Sequence, residues 1–325
     1  MKKRIHVCIE KSFLCCDGLA HSIEDFYSIP DAQCQLITAS MRDVYLITSH
    51  EHRYVFYVYR CNQRTPDEIR AEWKFVDILH KNAIPVAPAI PTKKGELLIP
   101  FDAPEGTRFG VLAQYVDGKH LRHRPSSNAV KSYGSLIAQI HAVADGISLE
   151  LIRPVIDYEI LINKSMVAFD TVVTVRAEQK AYLHRVADLL HTKVDSLPRT
   201  KPLYGMIHGD VIRANAQVSD DGLVTVLDFD MCGFGWRAYD IASYLLAIKG
   251  LPEQKEFGSA FLSGYQEIRS LARNEQEMLP LFMAVRAVFD IGVKASNVYH
   301  WGSQYLHTYL DQSMERLQQC MHEIR

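Results

Sequence analysis

His208-Gly209-Asp210-Val211-Ile212-Arg213-Ala214-Asn215, followed by Leu227-Asp228-Phe229-Asp230, is the stretch that decides how this chain is read. The apolar run at 204–207 before it reads as a strand end that delivers Asp210 into a loop. Asn215 opens a second short strand, 215–219, and Asp221-Gly222 is a hairpin turn signal. The return strand at 224–227 predicts Asp228 at the end of that hairpin, beside Asn215. Two carboxylates and one amide oxygen then converge from a compact segment. Hard oxygen ligands of this kind suit Mg²⁺, which typically takes one or two carboxylates together with substrate phosphates. Taken singly, an Asp and an Asn in a loop are ordinary turn chemistry. The joint pattern at this separation is what points to a site.

Working outward, residues 1–114 and 115–325 read differently. The first part has short β-rich runs at 34–38, 44–48, 54–59, 96–100 and 109–114, bounded by turn residues. One helix interrupts them. Thr65-Pro66-Asp67-Glu68 is a capping box with proline at the first helical position, and Ile69, Trp73, Val76 and Leu79 follow at helical spacing. A five-stranded antiparallel sheet with one prominent helix is the expected small lobe. Beyond Asp117-Gly118 the pattern turns helical. Ser127 is the expected cap of a helix whose face carries Val130, Tyr133, Leu136, Ile137 and Ile140. Further helices are expected at 157–170, 178–195, 236–249, 253–272, 275–299 and 304–324. The fold class is α+β: a small β-rich lobe, then a large helical lobe that carries the 208–230 stretch.

Bulk properties narrow the function. Of 325 residues, 48% are hydrophobic, so a globular core is expected rather than global disorder. A net charge of -2 argues against a nucleic-acid partner, which calls for a basic face. Seven cysteines, with no CxxC and irregular spacing, do not read as a disulfide framework or a zinc site. Reduced thiols in a cytoplasmic protein are the simplest reading. The first residues carry no apolar core of a signal peptide, and apolar runs are broken by charge well short of a membrane span. No membrane partner is expected.

The HGDxxxxN segment followed by a hydrophobic-D-F-D resembles the aminoglycoside phosphotransferase and choline kinase-like superfamily, relatives of protein kinases. Trp236-Arg237-Ala238-Tyr239-Asp240-Ile241-Ala242 is similar to the family segment after the metal-binding Asp. Residues 54–60 followed by the Thr65 helix resemble its third strand and lobe-bridging helix, and Ile84-Pro85-Val86-Ala87-Pro88 resembles the approach to its fourth strand. The resemblance runs from about residue 34 to residue 250 and leaves the C-terminal stretch recognisable only as family-like helices.

That resemblance implies a protein kinase-like two-lobed fold. It also implies transfer of the γ-phosphate of ATP (or GTP) to a hydroxyl of a small metabolite, amino alcohol or antibiotic-like compound. Asp210 would accept or orient the hydroxyl proton, and Asn215 and Asp228 would hold Mg²⁺ between the phosphates. Asp240 would brace the catalytic loop through backbone N–H groups, and His208 would pack behind Asp210. Gln114, Tyr115 and Val116 would supply contacts to adenine.

The chain departs from the pattern at the phosphate anchor. Glu72 shares a helical face with Ile69 and Val76, where a carboxylate is costly unless paired. In the superfamily it pairs with a strand lysine, yet here Tyr57 occupies the lysine position and no lysine lies within 44–63. Arg60 is three residues on, so strand alternation sends it to the opposite face. Thr38-Ala39-Ser40-Met41-Arg42-Asp43, expected to cover the phosphates, has no glycine. Small Ala39 and Ser40 permit a close backbone approach, and Arg42 is the candidate for the missing cation. For the acceptor, the candidates are Asp157, Tyr158, Glu159, Arg286, Asp290, Asn297 and Trp301. The i, i+4, i+8 spacing of Arg286, Asp290 and Lys294 is equally that of a solvated helix with ion pairs. Residues 251–325 hold nine Asp/Glu against seven Lys/Arg, a balance that favours a small hydroxylated metabolite or amino alcohol over a polycationic aminoglycoside. Two other readings stay open. Tyr57 and the glycine-free loop suggest a nucleotide-binding pseudokinase regulator, and a bacterial Ser/Thr protein kinase of the same fold is the third.

Overall fold

The computed structural model describes residues 9, 11–147, 151–172, 175–298 and 302–324, and the chain divides into two compact units, Met1–Asp117 and Gly118–Arg325. In the first unit, helix α1 (Cys16–Tyr27) precedes strands β1 (Gln33–Ala39), β2 (Arg42–Ser49) and β3 (His52–Tyr59). Helix α2 (Pro66–Lys81), β4 (Ala89–Ile90), β5 (Ile99–Ala103) and β6 (Gly106–Gln114) follow. The strands form one antiparallel sheet in the order β1-β2-β3-β6-β4, with β5 on β6. Alternation along β2 and β3 sends Tyr45, Ile47, Phe56 and Val58 to one face, where Leu19 and Ile23 of α1 close the core with Ile99 and Leu112.

The sheet thus has six strands rather than five, and among the described residues α1 joins the one prominent helix expected. α1 buries only Leu19 and Ile23, a single i, i+4 pair, which is too short a repeat to announce a helix. The strand expected at 96–100 begins later. Thr92 and Glu96 close a turn through Thr92 N–H to Glu96 O (2.8 Å) and Glu96 N–H to Thr92 Oγ1 (3.0 Å), so pairing with β6 starts at Ile99. The capping box forms as expected. Glu68 N–H donates to Thr65 Oγ1 (3.2 Å), and Thr65 N–H donates to Glu68 Oε2 (2.7 Å).

The second unit runs β7 (Lys119–His120), α3 (Ser127–Asp145), a wide helical turn (Glu159–Asn163), α4 (Lys164–Asp170) and α5 (Ala177–Asp195). It continues through β8 (Tyr204–Ile207), β9 (Ala216–Val218), β10 (Val224–Val226) and β11 (Gly233–Trp236). Helices α6 (Arg237–Ile248), α7 (Gln254–Ile268), α8 (Arg273–Ser296) and α9 (Ser303–Glu323) complete it. The strands make two small sheets, β10-β9-β7 and β11-β8. Ser126, not Ser127, caps α3 by accepting Ala129 N–H (3.2 Å), while the Ser127 hydroxyl donates to Glu256. Stacked Tyr244 and Phe261 with edge-on Tyr133 bind α3, α6 and α7 together. Trp236 and Tyr239 pack on Phe282 of α8. The helix expected to reach residue 299 ends at Ser296, and Tyr299 lies outside the described residues. Among the described residues, no helix is long and apolar enough to cross a membrane.

Candidate active site

In the first unit the cation and the acid meet. Arg42 opens β2, and its Nη1 donates to Glu72 Oε1 on α2 at 3.0 Å. The side chains are 6% and 1% exposed. The same Nη1 donates to the Tyr59 hydroxyl at 3.0 Å, which also accepts Trp73 Nε1–H at 2.9 Å. Arg42 lies 4.0 Å from the Tyr57 ring centroid, a cation–π contact, and Tyr57 in turn packs on Trp73. Glu72 therefore faces a guanidinium instead of a phenol, and Tyr57 is the aromatic floor of that cation. The segment expected to cover phosphates over 38–43 shrinks to Ser40 and Met41 between β1 and β2, closed by Ser40 N–H to Arg42 O (3.2 Å). Asp43, fully buried beside it, is held by Arg108 at 2.6 Å and Lys11 at 2.9 Å. Gln114 ends β6 and donates its N–H to Pro88 O, and Arg53 stacks on Tyr115 while it pairs with Asp117. Val116 follows directly.

In the second unit β8 ends at Ile207, and the next residues are shaped by Asp240 from the first turn of α6. Its carboxylate accepts His208 N–H and Gly209 N–H, both at 2.8 Å. It also accepts His141 Nε2–H at 3.0 Å, and His141 Nδ1 accepts the Tyr265 hydroxyl at 2.8 Å. Burial pushes His141 down to about 4, so it serves this chain as a neutral imidazole. Hydrogen bonding to His141 and to backbone N–H groups outweighs desolvation and keeps Asp240 below the usual carboxylate range. His208 Nδ1 accepts Asp210 N–H (3.2 Å), which puts the ring proton on Nε2, donated to Leu227 O (2.9 Å). The imidazole thereby ties the loop before Asp210 to the strand end before Asp228.

Asp210 is pinned from two sides. Asn215 Nδ2 donates to its Oδ2 at 2.6 Å and to its carbonyl at 3.0 Å. Arg286 Nη2, from α8, donates to its Oδ1 at 2.6 Å, and Arg286 Nε donates to Asp290 at 2.7 Å. Each carboxylate oxygen retains a lone pair for a hydroxyl proton. With Nδ2 committed to Asp210, Asn215 keeps Oδ1 as an acceptor for a cation. Leu227 N–H donates to Asn215 O (2.8 Å), which brings exposed Asp228 next to it. Asp228 adopts φ 63°, a left-handed conformation that a residue bearing a Cβ holds only when its surroundings enforce it.

The oxygen set of Asn215 and Asp228 fits Mg²⁺. Among the described residues no three His, Cys, Asp or Glu side chains gather as a cage, so such a cation would complete its shell from phosphate oxygens and water.

The acceptor candidates separate. Arg286 and Asp290 stand at Asp210, and Arg286 is a buried side chain of a packed helix rather than part of a solvated one. Its charge is reinforced by Asp290 and Asp210, which hold its pKa well above the usual value against the opposing effect of burial. Asp157 pairs with Arg199 (3.2 Å) and caps the following turn through Glu159 N–H, while Glu159 accepts Asn163 Nδ2–H. Tyr158 stacks on His191. Asn297 caps the end of α8, and its Nδ2 donates to Val293 O. Trp301 lies outside the described residues. One contributor went unread in the sequence: His141, whose signal was a lone imidazole on the apolar face of α3.

The profile of the phosphotransferase enzyme family matches residues 36–280. An uncharacterized protein of Deinococcus radiodurans is 29% identical over 299 residues, covering 91% of this chain and 86% of that one. The structure of a microcompartment-associated aminopropanol kinase superposes with a TM-score of 0.78 at 24% identity, over 94% of this chain and 95% of the other. An amicoumacin kinase, solved with AMP-PNP, Ca²⁺ and Ami, gives 0.77 at 18% identity over 95% and 92%. These structural likenesses are of fold. The profile match spans well over half of the chain, and the protein belongs to the phosphotransferase enzyme family.

Proposed function

We propose that this phosphotransferase moves the γ-phosphoryl group of ATP to a hydroxyl of a small amino alcohol, with Asp210 receiving or orienting the hydroxyl proton. The observation that carries the reading is the convergence of Asp210, Asn215 and Arg286: one carboxylate fixed through both oxygens, beside an amide oxygen left for a cation. Asn215 and Asp228 are the residues that would hold Mg²⁺. When bound, that ion supplies charge neutralisation at the phosphates. The chain's own contribution is positioning, which is how phosphoryl transfer is mostly catalysed. Arg42, kept in place by Glu72 and the Tyr57 ring, offers a fixed positive charge to a nucleotide phosphate. Ser40 and the backbone of Gln114, Tyr115 and Val116 are the remaining nucleotide contacts in this reading.

An amino alcohol suits the charges near Asp210. Asp290 is partly exposed and shares Arg286 with Asp210, so an ammonium group on the acceptor has a carboxylate to meet while its hydroxyl approaches Asp210. The structural likeness to an aminopropanol kinase supports the same class. Asp157 and Glu159 pair with Arg199 and Asn163, whereas Asp290 pairs with the arginine that also holds Asp210, so the first two rank behind Asp290. The Arg42–Glu72 pair removes the charge deficit on which a pseudokinase reading rests.

The test is phosphate transfer from ATP with Mg²⁺ to a panel of amino alcohols and their amine-free counterparts, followed by mass spectrometry. Transfer restricted to the amine-bearing members is expected, together with its loss in Asp210→Ala. Nucleotide binding without transfer to any alcohol would sink the proposal.

A further inference from the structure

Asp228 is held in its left-handed conformation by the chain that follows it. Phe229 is buried with its ring 4.6 Å from that of His208. A Cβ on Gly209 would lie 2.2 Å from Met231 O, so the loop after Asp228 rests directly on the catalytic loop. Cys232 N–H closes the turn on Phe229 O at 2.9 Å.

The other side of that turn is gripped by an arginine from a distant part of the sequence. Arg153 is 7% exposed, and its Nε donates to Cys232 O at 2.7 Å while its Nη2 donates to Asp230 O. The chain around it is docked as well. Phe234 N–H donates to Pro154 O (3.0 Å), and Ile156 N–H donates to Phe234 O (2.7 Å). Gly233 makes this approach possible, since a Cβ there would stand 2.4 Å from Pro154 O. A guanidinium is costly to bury, and here Nε and Nη2 donate to the main chain just beyond the proposed metal ligand. The docked segment leads directly to Asp157.

We infer that Arg153 is a positioning residue for metal–nucleotide binding: by fixing the carbonyls of Asp230 and Cys232 it sets the carboxylate of Asp228. The inference rests on the reading of Asp228 as a metal ligand. Two forked donors hold two carbonyls at once, so the turn cannot rotate about either one. Removing them frees the Asp228 backbone to relax from φ 63° toward an ordinary conformation.

The experiment measures Mn²⁺ affinity by electron paramagnetic resonance, on the full chain with a non-hydrolysable ATP analogue, alongside melting temperature. Arg153→Ala is expected to weaken Mn²⁺ binding about tenfold, and Arg153→Lys to recover part of that loss by holding one carbonyl. Arg153→Gln, which retains a single neutral donor, decides the matter if the alanine variant does not fold; a loss of at least threefold is expected. A lowered melting temperature with wild-type Mn²⁺ affinity in the folded variants would overturn the inference and leave Arg153 a purely structural clamp. Asp228→Ala is the control. If it too binds Mn²⁺ like wild type, the metal-ligand reading fails first and the Arg153 inference falls with it.

Discussion

Arg42 and Glu72 are joined by a 3.0 Å ion pair between the first residue of β2 and the middle of α2. In the superfamily that the sequence resembles, the cation for this helix glutamate comes from the third strand. Here the second strand supplies it. The third strand supplies Tyr57, whose ring lies under the guanidinium, and Tyr59, which is Arg42's register partner and accepts a hydrogen bond from it.

Breaking that pair is expected to be expensive. Arg42→Ala takes the paired guanidinium from buried Glu72, and Glu72→Ala takes the paired carboxylate from buried Arg42; removing one partner of a buried pair typically costs about 3–5 kcal/mol. Chemical denaturation of both single variants and the double variant checks this. The double variant is expected to lose clearly less than the sum of the singles, because each single change already removes the interaction the two residues share. Additive losses would mean that the pair contributes no coupling. In folded protein, Arg42→Lys should keep more ATP affinity than Arg42→Met.

Tyr57→Lys separates two accounts of the missing lysine. The guanidinium of Arg42 lies 4.0 Å from the ring that this change replaces, so a second cation there meets a like charge and loses the Trp73 packing. A lower melting temperature and no gain in ATP affinity are expected, whereas Tyr57→Phe should be nearly neutral. If Tyr57→Lys binds ATP more tightly and melts normally, the lysine position is functionally vacant and Arg42 does not fill it.

How far the sequence could be read follows from which signals are local. The capping box at Thr65, the strand–turn–strand around Asp221-Gly222 and the amphipathic α3 each announce themselves within a dozen residues, and each forms. Likewise, Asp210, Asn215 and Asp228 sit within one short stretch, so their convergence was legible from a turn and two strand runs. Of the Arg42–Glu72 contact only the candidate cation was legible, because its meeting with Glu72 joins the start of β2 to α2 across thirty residues of sequence. His141 and Arg286 reach the catalytic loop from α3 and α8, across 99 residues to Asp240 and 76 to Asp210. A helical stripe shows that such residues face inward without naming what they meet. α1 escaped detection because one i, i+4 pair carries no period.

Asp210→Asn keeps the shape of the side chain and removes its charge. A fall in kcat of about 10²–10⁴, the usual range for a positioned proton-transfer group, is expected with little change in KM for ATP. The melting temperature should move modestly, since Arg286 keeps Asp290 as an anionic partner. Steady-state kinetics and calorimetry on the same preparation check both statements. Near wild-type turnover would remove Asp210 from the chemistry.

Asp228→Ala is expected to abolish Mg²⁺-dependent nucleotide binding more severely than Asn215→Ala. A carboxylate gives a hard cation full charge, whereas an amide gives only a dipole. Asn215→Ala carries a second effect, because Asp210 loses the Nδ2 donor at 2.6 Å. It should therefore cost more in kcat than in nucleotide affinity. Calorimetric titrations with and without Mg²⁺ distinguish the variants, and equal metal dependence in wild type and Asp228→Ala would refute the ligand role.

Acid should loosen the second unit through His141. The imidazole is fully buried, and burial together with nearby Arg237 and Arg269 pushes it down to about 4 against the opposing pull of Asp240. An unfolded histidine titrates near 6.5. Between those values the unfolded chain binds a proton that the native protein does not, so stability falls as pH drops through that window. Across the full window the magnitude is on the order of 3–4 kcal/mol, at about 1.4 kcal/mol per unit. Asp240 acts in the same direction only at lower pH, because its depressed value begins to lower stability below the ordinary carboxylate range. Urea denaturation at several pH values from 7 to 4.5, on wild type and His141→Asn, isolates the contribution. Wild type is expected to lose more stability over this interval than the variant, whose amide carries no titrating proton although it starts from a lower stability at pH 7. Parallel curves for the two proteins would mean that His141 is protonated in the native state, and the neutral Tyr265–His141–Asp240 chain would then be wrongly drawn.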